Sequence, residues 1–168
     1  MTSLNKPKVI KAMFDSTVYD KDVLYKKCID RMMKVFKGKT LTEKMKIACK
    51  ILKDEIPYYF WVGFYFPRET YLELGPSEGP PACAQIAYTG VCGRCARSGK
   101  TIIVPNVHEF PGHIACDPRS KSEIAVPVFD GGGNVVAVLD VDSDEYGSFD
   151  ERDREWLERI AKMLIASK

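Results

Sequence analysis

Two runs decide the fold: Ser122-Glu-Ile-Ala-Val-Pro-Val-Phe129 and Asn134-Val-Val-Ala-Val-Leu-Asp-Val-Asp142, joined by Asp130-Gly-Gly-Gly133. Both are rich in β-branched residues, and the glycines between them supply the backbone freedom a tight reversal needs, so the pair reads as a β-hairpin. Pro127 has no N–H to give a neighbour, which makes its strand an edge or a bulged one. A turn centred between Gly131 and Gly132 sets Glu123 opposite Asp140, on one face of the ladder. Asp142 lies two residues from Asp140 and points the same way. Three carboxylates then share a patch at one end of the hairpin, where mutual repulsion leaves them to keep a proton or to bind a cation.

Working outward toward the N-terminus, aromatic and β-branched residues between Pro and Gly predict strands at 58–66, 71–75 and 82–87. A short helix over Val91–Arg97 and a strand over Thr101–Val104 follow. Residues 105–121 then read as one long loop carrying His108, Pro111, Gly112, His113 and Cys116. A connection of that length in a compact domain is more often functional than idle. Earlier still, Leu24, Cys28, Met32 and Phe36 recur at helical spacing over about 21–36, with Gly38 as the stop. The box Thr40-Leu-Thr-Glu43 opens a second helix that ends before Pro57. A last helix starts near Asp150 with Phe149 as its staple, and its buried face is Trp156, Leu157, Ile160, Ala161 and Leu164. The class is therefore α+β: an antiparallel sheet of about six strands flanked by N- and C-terminal helices, in a single domain over 1–168 whose first 20 residues are partly flexible.

Composition narrows the function. The 168 residues are 45% apolar and 29% charged, a globular profile. With 25 Lys and Arg against 23 Asp and Glu, no overall field draws nucleic acid or a membrane. No apolar run approaches the ~18 residues of a bilayer span and the N-terminus lacks an apolar secretory core, so a cytoplasmic location is expected. Six cysteines in such a chain read as thiols rather than as a disulfide framework. Cys28 and Cys49 fall on helix packing stripes and behave as small core hydrophobes. Cys92-Gly-Arg-Cys95 with His108 and His113 matches zinc-finger spacing, but the spacer holds Thr101-Ile-Ile-Val-Pro105, a strand where a finger needs a helix, so no metal is expected. Thiol redox chemistry by Cys83, Cys92, Cys95 and Cys116 fits better, although residue type alone does not choose the nucleophile.

Five segments carry a resemblance: Phe60-Trp-Val-Gly-Phe-Tyr65, Gly90-Val-Cys-Gly93, Phe110-Pro-Gly-His-Ile-Ala-Cys-Asp117, Ser120-Lys-Ser-Glu-Ile124 and Val138-Leu-Asp-Val-Asp-Ser143. In this order they are similar to the free methionine-(R)-sulfoxide reductases, a family with the GAF fold. The likeness covers roughly residues 40–165. It implies Cys116 as the catalytic thiolate, Cys92 and Cys83 as candidate resolving thiols, Trp61 lining the substrate pocket, and Glu123, Asp140 and Asp142 binding the amino acid or handling protons. The implied reaction is attack of Cys116 on the sulfoxide sulfur of free methionine sulfoxide, with a protonated carboxyl assisting departure of the oxygen. A sulfenic acid then condenses with Cys92 or Cys83, and a thioredoxin-type reductant restores the dithiol, with no cofactor. Cys95 is extra to the family pattern, and Ser77-Glu-Gly-Pro-Pro81 replaces an aromatic and a basic residue, which bears on substrate range. A non-catalytic GAF sensor of a small ligand such as a nucleotide is the alternative, and whether the chain forms a homodimer is left open by the sequence.

Overall fold

The computed structural model describes residues 18–166; most of the segment expected to be flexible lies outside the described residues. Helices α1 (Lys21–Val35) and α2 (Leu41–Glu55) come first, followed by strands β1 (Trp61–Pro67), β2 (Leu72–Glu78) and β3 (Gln85–Ile86). Helix α3 (Val91–Ser98), strand β4 (Ile102–Val104), a 3-10 turn at Val107–Glu109, strands β5 (Ser122–Phe129) and β6 (Val135–Ser143), and helix α4 (Glu151–Ile165) complete the order. The six strands form one antiparallel sheet in the order β3-β2-β1-β6-β5-β4.

Strand alternation sorts the core into two layers. Val62, Phe64, Ile124, Val126, Val128, Ala137, Leu139 and Val141 point to one face, where they pack with the buried stripes of α1, α2 and α4. Trp61, Tyr65, Ala125 and Val138 point to the other, against α3 and the segments that follow it. The capping box expected at Thr40 is present, Glu43 N–H donating to Thr40 Oγ1 and Thr40 N–H to Glu43 Oε2. Cys28 and Cys49 are fully buried in the three-helix layer.

The hairpin register differs from the expectation. Glu123 pairs with Asp142, and Asp140 with Ala125. The turn is wider than two residues: Asp130 N–H donates to Asn134 O, and the register shifts between Val128 and Phe129, so a bulge and a broader loop displace the pairing by two residues. An even displacement preserves which face each side chain takes, and Glu123, Asp140 and Asp142 still share the α3 face. Pro127 sits beyond the three residues of β5 that β4 covers, so its missing N–H costs no ladder bond on that side.

Three strand boundaries also move. β2 runs on to Glu78 because the β1–β2 register shifts between Gly63 and Tyr65, leaving Gly75 and Pro76 as the bulged pair. β3 is only two residues, Gln85 and Ile86, paired with Glu73 and Leu72 of β2. β1 begins at Trp61 because the hydroxyls of Tyr58 and Tyr59 are drawn into a buried polar hub.

That hub is Asp153, fully buried on α4. Its carboxylate accepts from Tyr25 Oη (2.7 Å), Tyr58 Oη (2.6 Å), Lys21 Nζ (2.5 Å) and the Asp150 N–H (2.8 Å), and Tyr59 in turn hydrogen-bonds Tyr25. The helix face expected from sequence lists apolar residues alone; Asp153 is buried among them and Trp156 is half-buried, stacked on Tyr25. Phe149 does not staple α4, whose fourth residue is Arg154, but packs edge-on against Tyr58 and Tyr59. One carboxylate thus ties α1, the entry to β1 and α4. Removing it takes the shared acceptor from the buried hydroxyls of Tyr25 and Tyr58 and the closest carboxylate from Lys21, which keeps Ser148 O and Asp150. Asp153→Ala is expected to cost about 3–5 kcal/mol, and so to lower Tm by roughly 6–20 °C, in urea and thermal unfolding at neutral pH; a loss below about 1 kcal/mol sinks the hub's structural role.

Candidate active site

Register places the site residues in rows that run across the sheet. Trp61 on β1 pairs with Asp142 on β6, Asp142 with Glu123 on β5, and Glu123 with Val104 on β4. In the adjacent row Gly63 faces Asp140, which faces Ala125. Gly63 cannot carry a side chain here: a Cβ would run into the Trp61 ring and Ser77. Its absence lets the indole lie along the sheet toward Tyr65, with ring centroids 6.0 Å apart.

These side chains floor a cleft whose walls come from elsewhere. Cys92 arrives from the first turn of α3, Pro80, Pro81 and Ala82 from the β2–β3 connection, and His113, Ile114, Cys116, Asp117 and Ser120 from the long loop. The loop is clamped at both ends. Arg94 donates to Pro111 O (2.9 Å) and stacks over Phe110. Arg119 forms a two-pronged pair with Asp117 (3.0 and 2.7 Å) and stacks over Phe60; this pair holds the Asp117 carboxyl down at about 2. Between the clamps, Cys116 is bonded to Cys83 in a disulfide at the cleft. Tyr65 Oη donates to Cys83 O (3.0 Å) and so seats that partner. The structure thus joins Cys83 and Cys116, and leaves Cys92 a free thiol that donates to Glu123 Oε1 at 3.8 Å.

The electrostatics are unusual for a fold interior. Glu123 and Asp140 are each 5% exposed, and Asp142 is half-buried beside them. Burial, then Asp140, then Asp142 push the Glu123 carboxyl well above the ordinary range; burial, then Asp140, does the same to Asp142. Asp140 also rises through burial, with hydrogen-bonding to Glu123 and Cys92 acting the other way. Among the described residues no lysine or arginine pairs with them: His113 Nδ1 is 3.8 Å from Glu123 Oε2, and burial pushes its imidazole down toward the neutral form. Among the described residues, Trp61 Nε1 and Asp140 Oδ1 are buried without a hydrogen-bond partner. A buried donor and a buried acceptor left bare cost free energy that a polar ligand would recover.

For a metal, the donors of Cys92, Glu123 and Asp140 lie within 4.8 Å of one another, the one such grouping among the described residues. The zinc-finger quartet is not assembled. His108 stands against Tyr146, His113 turns to Glu123, and the spacer is β4, as its composition indicated. Tyr65 and His113 enter the site although sequence reasoning gave them no role in it, naming His113 only in the functional loop and the zinc-finger spacing and both within the quoted motifs. Tyr65 was within reach of the parity that places Trp61; His113 was not, because loop residues carry no period.

The GAF-domain family matches residues 39–163. This chain belongs to the GAF-domain family. GAF domain-containing protein A of Dictyostelium discoideum is 52% identical over 115 residues, covering 67% of this chain and 72% of that protein. The free methionine-R-sulfoxide reductase of Saccharomyces cerevisiae is 45% identical over 111 residues, covering 64% of this chain and 62% of the yeast protein, so the chain spans less than two thirds of that relative. A crystallised free methionine-R-sulfoxide reductase from Neisseria meningitidis, in complex with its substrate, superposes with a TM-score of 0.82 at 36% identity, covering 88% of this chain and 90% of that one. The GAF fold expected from sequence is therefore the fold observed, and this GAF domain falls among relatives that include the free methionine-R-sulfoxide reductases.

The carboxylate cluster carries a linkage consequence. Groups whose folded pKa lies above the unfolded value stabilise the fold fully below the unfolded pKa, near 4.3 for Glu, and that stability is lost as pH rises toward the folded value. Glu123 is raised, so the wild-type chain loses stability from about pH 4 upward on its account. Glu123→Gln is expected to remove this dependence, gaining on wild type as pH rises above about 4 in urea titrations; parallel stability curves for the two proteins sink the cluster's assigned electrostatics.

Proposed function

We propose that this chain, acting as a single domain, reduces free methionine (R)-sulfoxide to methionine, with Cys116 as the nucleophile and Cys83 as the thiol that closes the cycle. The observation that carries the reading is the Cys83–Cys116 disulfide at a cleft floored by Trp61, Glu123, Asp140 and Asp142. Reduction of a sulfoxide consumes two thiols and yields a thioether, water and a disulfide, and that product bond is the one the cleft contains. The names of the yeast and Neisseria relatives support the same substrate.

The chemistry divides into two steps. The Cys116 thiolate attacks the sulfoxide sulfur while a carboxyl kept protonated by its neighbours, Glu123 or Asp142, gives its proton to the sulfoxide oxygen. The oxygen passes to Cys116 as a sulfenic acid and methionine departs. The Cys83 thiol then attacks the Cys116 sulfur, water leaves, and the disulfide forms. Asp140, with one bare oxygen, offers an acceptor for the substrate's α-ammonium, and the bare Trp61 N–H a donor for an anionic oxygen. A peptide-bound residue has no ammonium to bring, so the pocket favours the free amino acid. A thioredoxin-type dithiol in the cytoplasm is the reductant this cycle calls for; the four free thiols fit a reducing compartment. No helix among the described residues is long and apolar enough to cross a membrane. A ligand-sensing role is the less supported alternative, because sensing alone has no use for a disulfide at the binding cleft.

NADPH consumption coupled through thioredoxin tests this, with free R and S sulfoxides and N-acetyl methionine sulfoxide offered in parallel. Wild type is expected to turn over the free R form alone; equal rates on the N-acetyl compound defeat the free-amino-acid reading. Cys116→Ser is expected to be inactive, whereas Cys28→Ser and Cys49→Ser, buried in the opposite layer, keep turnover and lower Tm. Asp140→Asn is expected to lose at least tenfold in kcat/KM, about 1.4 kcal/mol of transition-state stabilisation, and wild-type kinetics in that variant remove Asp140 from substrate binding.

A further inference from the structure

The reductase cycle uses two cysteines of the cleft region and leaves Cys92 and Cys95 as free thiols on α3. Gly90 caps that helix, so Cys92 is its second residue and Cys95 its fifth. Helical residues three apart have Cα atoms about 5 Å apart, inside the ~4.4–6.8 Å that a disulfide spans. The first turn is also where such a closure disturbs least, since its leading N–H groups have no partners within the helix. Both thiols are buried in the apolar layer between α3 and the sheet, and Cys83 and Cys116 pack against that same layer. Cys92 in addition lines the cleft with Cys116 and hydrogen-bonds Glu123.

The geometry points to a four-cysteine relay in which Cys92 and Cys95 store a second pair of electrons and pass them to Cys116. It rests on the reductase reading above. Once a first sulfoxide has left Cys83–Cys116 oxidised, and Glu123 has become a carboxylate by giving its proton to the sulfoxide oxygen, Glu123 takes the proton of Cys92, and the Cys92 sulfur attacks Cys116. The Cys83–Cys116 bond breaks, a Cys92–Cys116 bond forms, and Cys83 leaves as a thiolate that takes up a proton. Cys95, giving its proton to the carboxylate cluster, then attacks Cys92. The Cys92–Cys116 bond breaks, Cys92–Cys95 forms, and Cys116 is released as a thiolate, ready for a second sulfoxide. Each exchange makes one thiol for every thiol it consumes, so no outside oxidant or reductant enters.

Burial pushes both α3 thiols upward, which makes them poor nucleophiles unaided and gives Glu123 its part as the local base. Burial also shields the stored disulfide. An external dithiol needs only to reduce Cys83–Cys116; the exchanges then run in reverse and restore Cys92 and Cys95 from within. The pair would act as a reserve against interruption of the reductant supply.

Single-turnover stoichiometry tests the relay. The chain is fully reduced, freed of reductant, and mixed with excess free methionine (R)-sulfoxide, and methionine released per chain is counted. Wild type is expected to release two equivalents, and Cys95→Ser and Cys95→Ala, both checked for folding by circular dichroism, one. Arg94 lies between the two cysteines and Tyr88 between Cys83 and Cys92, so trypsin with chymotrypsin separates all three unless they are bonded; the spent wild-type protein is expected to give the Cys92 and Cys95 peptides joined. One equivalent from wild type overturns the relay, as do two equivalents from the Cys95 variants. No methionine from wild type overturns the reductase reading itself, and the relay with it.

Discussion

Side chains on a strand alternate between faces, and in β5 and β6 that parity separates two kinds of chemistry. Ile124, Val126 and Val128 of β5 and Ala137, Leu139 and Val141 of β6 are aliphatic and carry the three-helix layer. The opposite positions carry Glu123, Asp140 and Asp142, which a continuous apolar helix layer would leave as charge in oil. The small α3 and a long loop cover them instead, and the cleft is what remains between these covers. A register slip of one residue would exchange the faces and destroy core and site together, whereas the slip of two that separates the observed pairing from the simplest turn leaves both intact.

The two buried carboxylate centres show how structure distinguishes support from reactivity. Asp153 is surrounded by donors, a lysine, two tyrosines and a backbone N–H, and its charge is fully answered. Asp140 keeps one oxygen bare, and its charge, after burial, pushes the carboxyls of Glu123 and Asp142 upward. The first arrangement fixes helices; the second holds protons at pH values where a carboxyl ordinarily has none, and leaves room for a ligand to complete the hydrogen bonds. The stability forgone at the second centre is offset by close packing elsewhere in the sheet and by the hub on the far side.

The cysteines follow the same division by layer. Cys28 and Cys49 lie in the three-helix layer, remote from the carboxylates, and act as packing. The other four gather on the α3 face, two joined and two within one helical turn. The loop that brings Cys116 there is held by Arg94 and Arg119, each stacked on an aromatic ring and hydrogen-bonded to the loop itself. Cation–aromatic contact and planar hydrogen bonding give these clamps a direction that a lysine could not supply.

Local periodicity and turn chemistry in the sequence were enough to determine the helices, the central hairpin, the capping box at Thr40 and the shared face of the three carboxylates. Each follows from spacing within a few residues, and face membership survives an even error in register. The motif resemblance named candidate site residues, but not which of Cys83 and Cys92 pairs with Cys116. The register itself, the extension of β2 past Pro76, the burial of Asp153, the arrival of Tyr65 and His113 in the cleft and the Cys83–Cys116 bond were decided only by tertiary structure. The reason is common to all five: each depends on which residues distant in sequence the sheet and the loop clamps bring together, and such contacts leave no period in the chain.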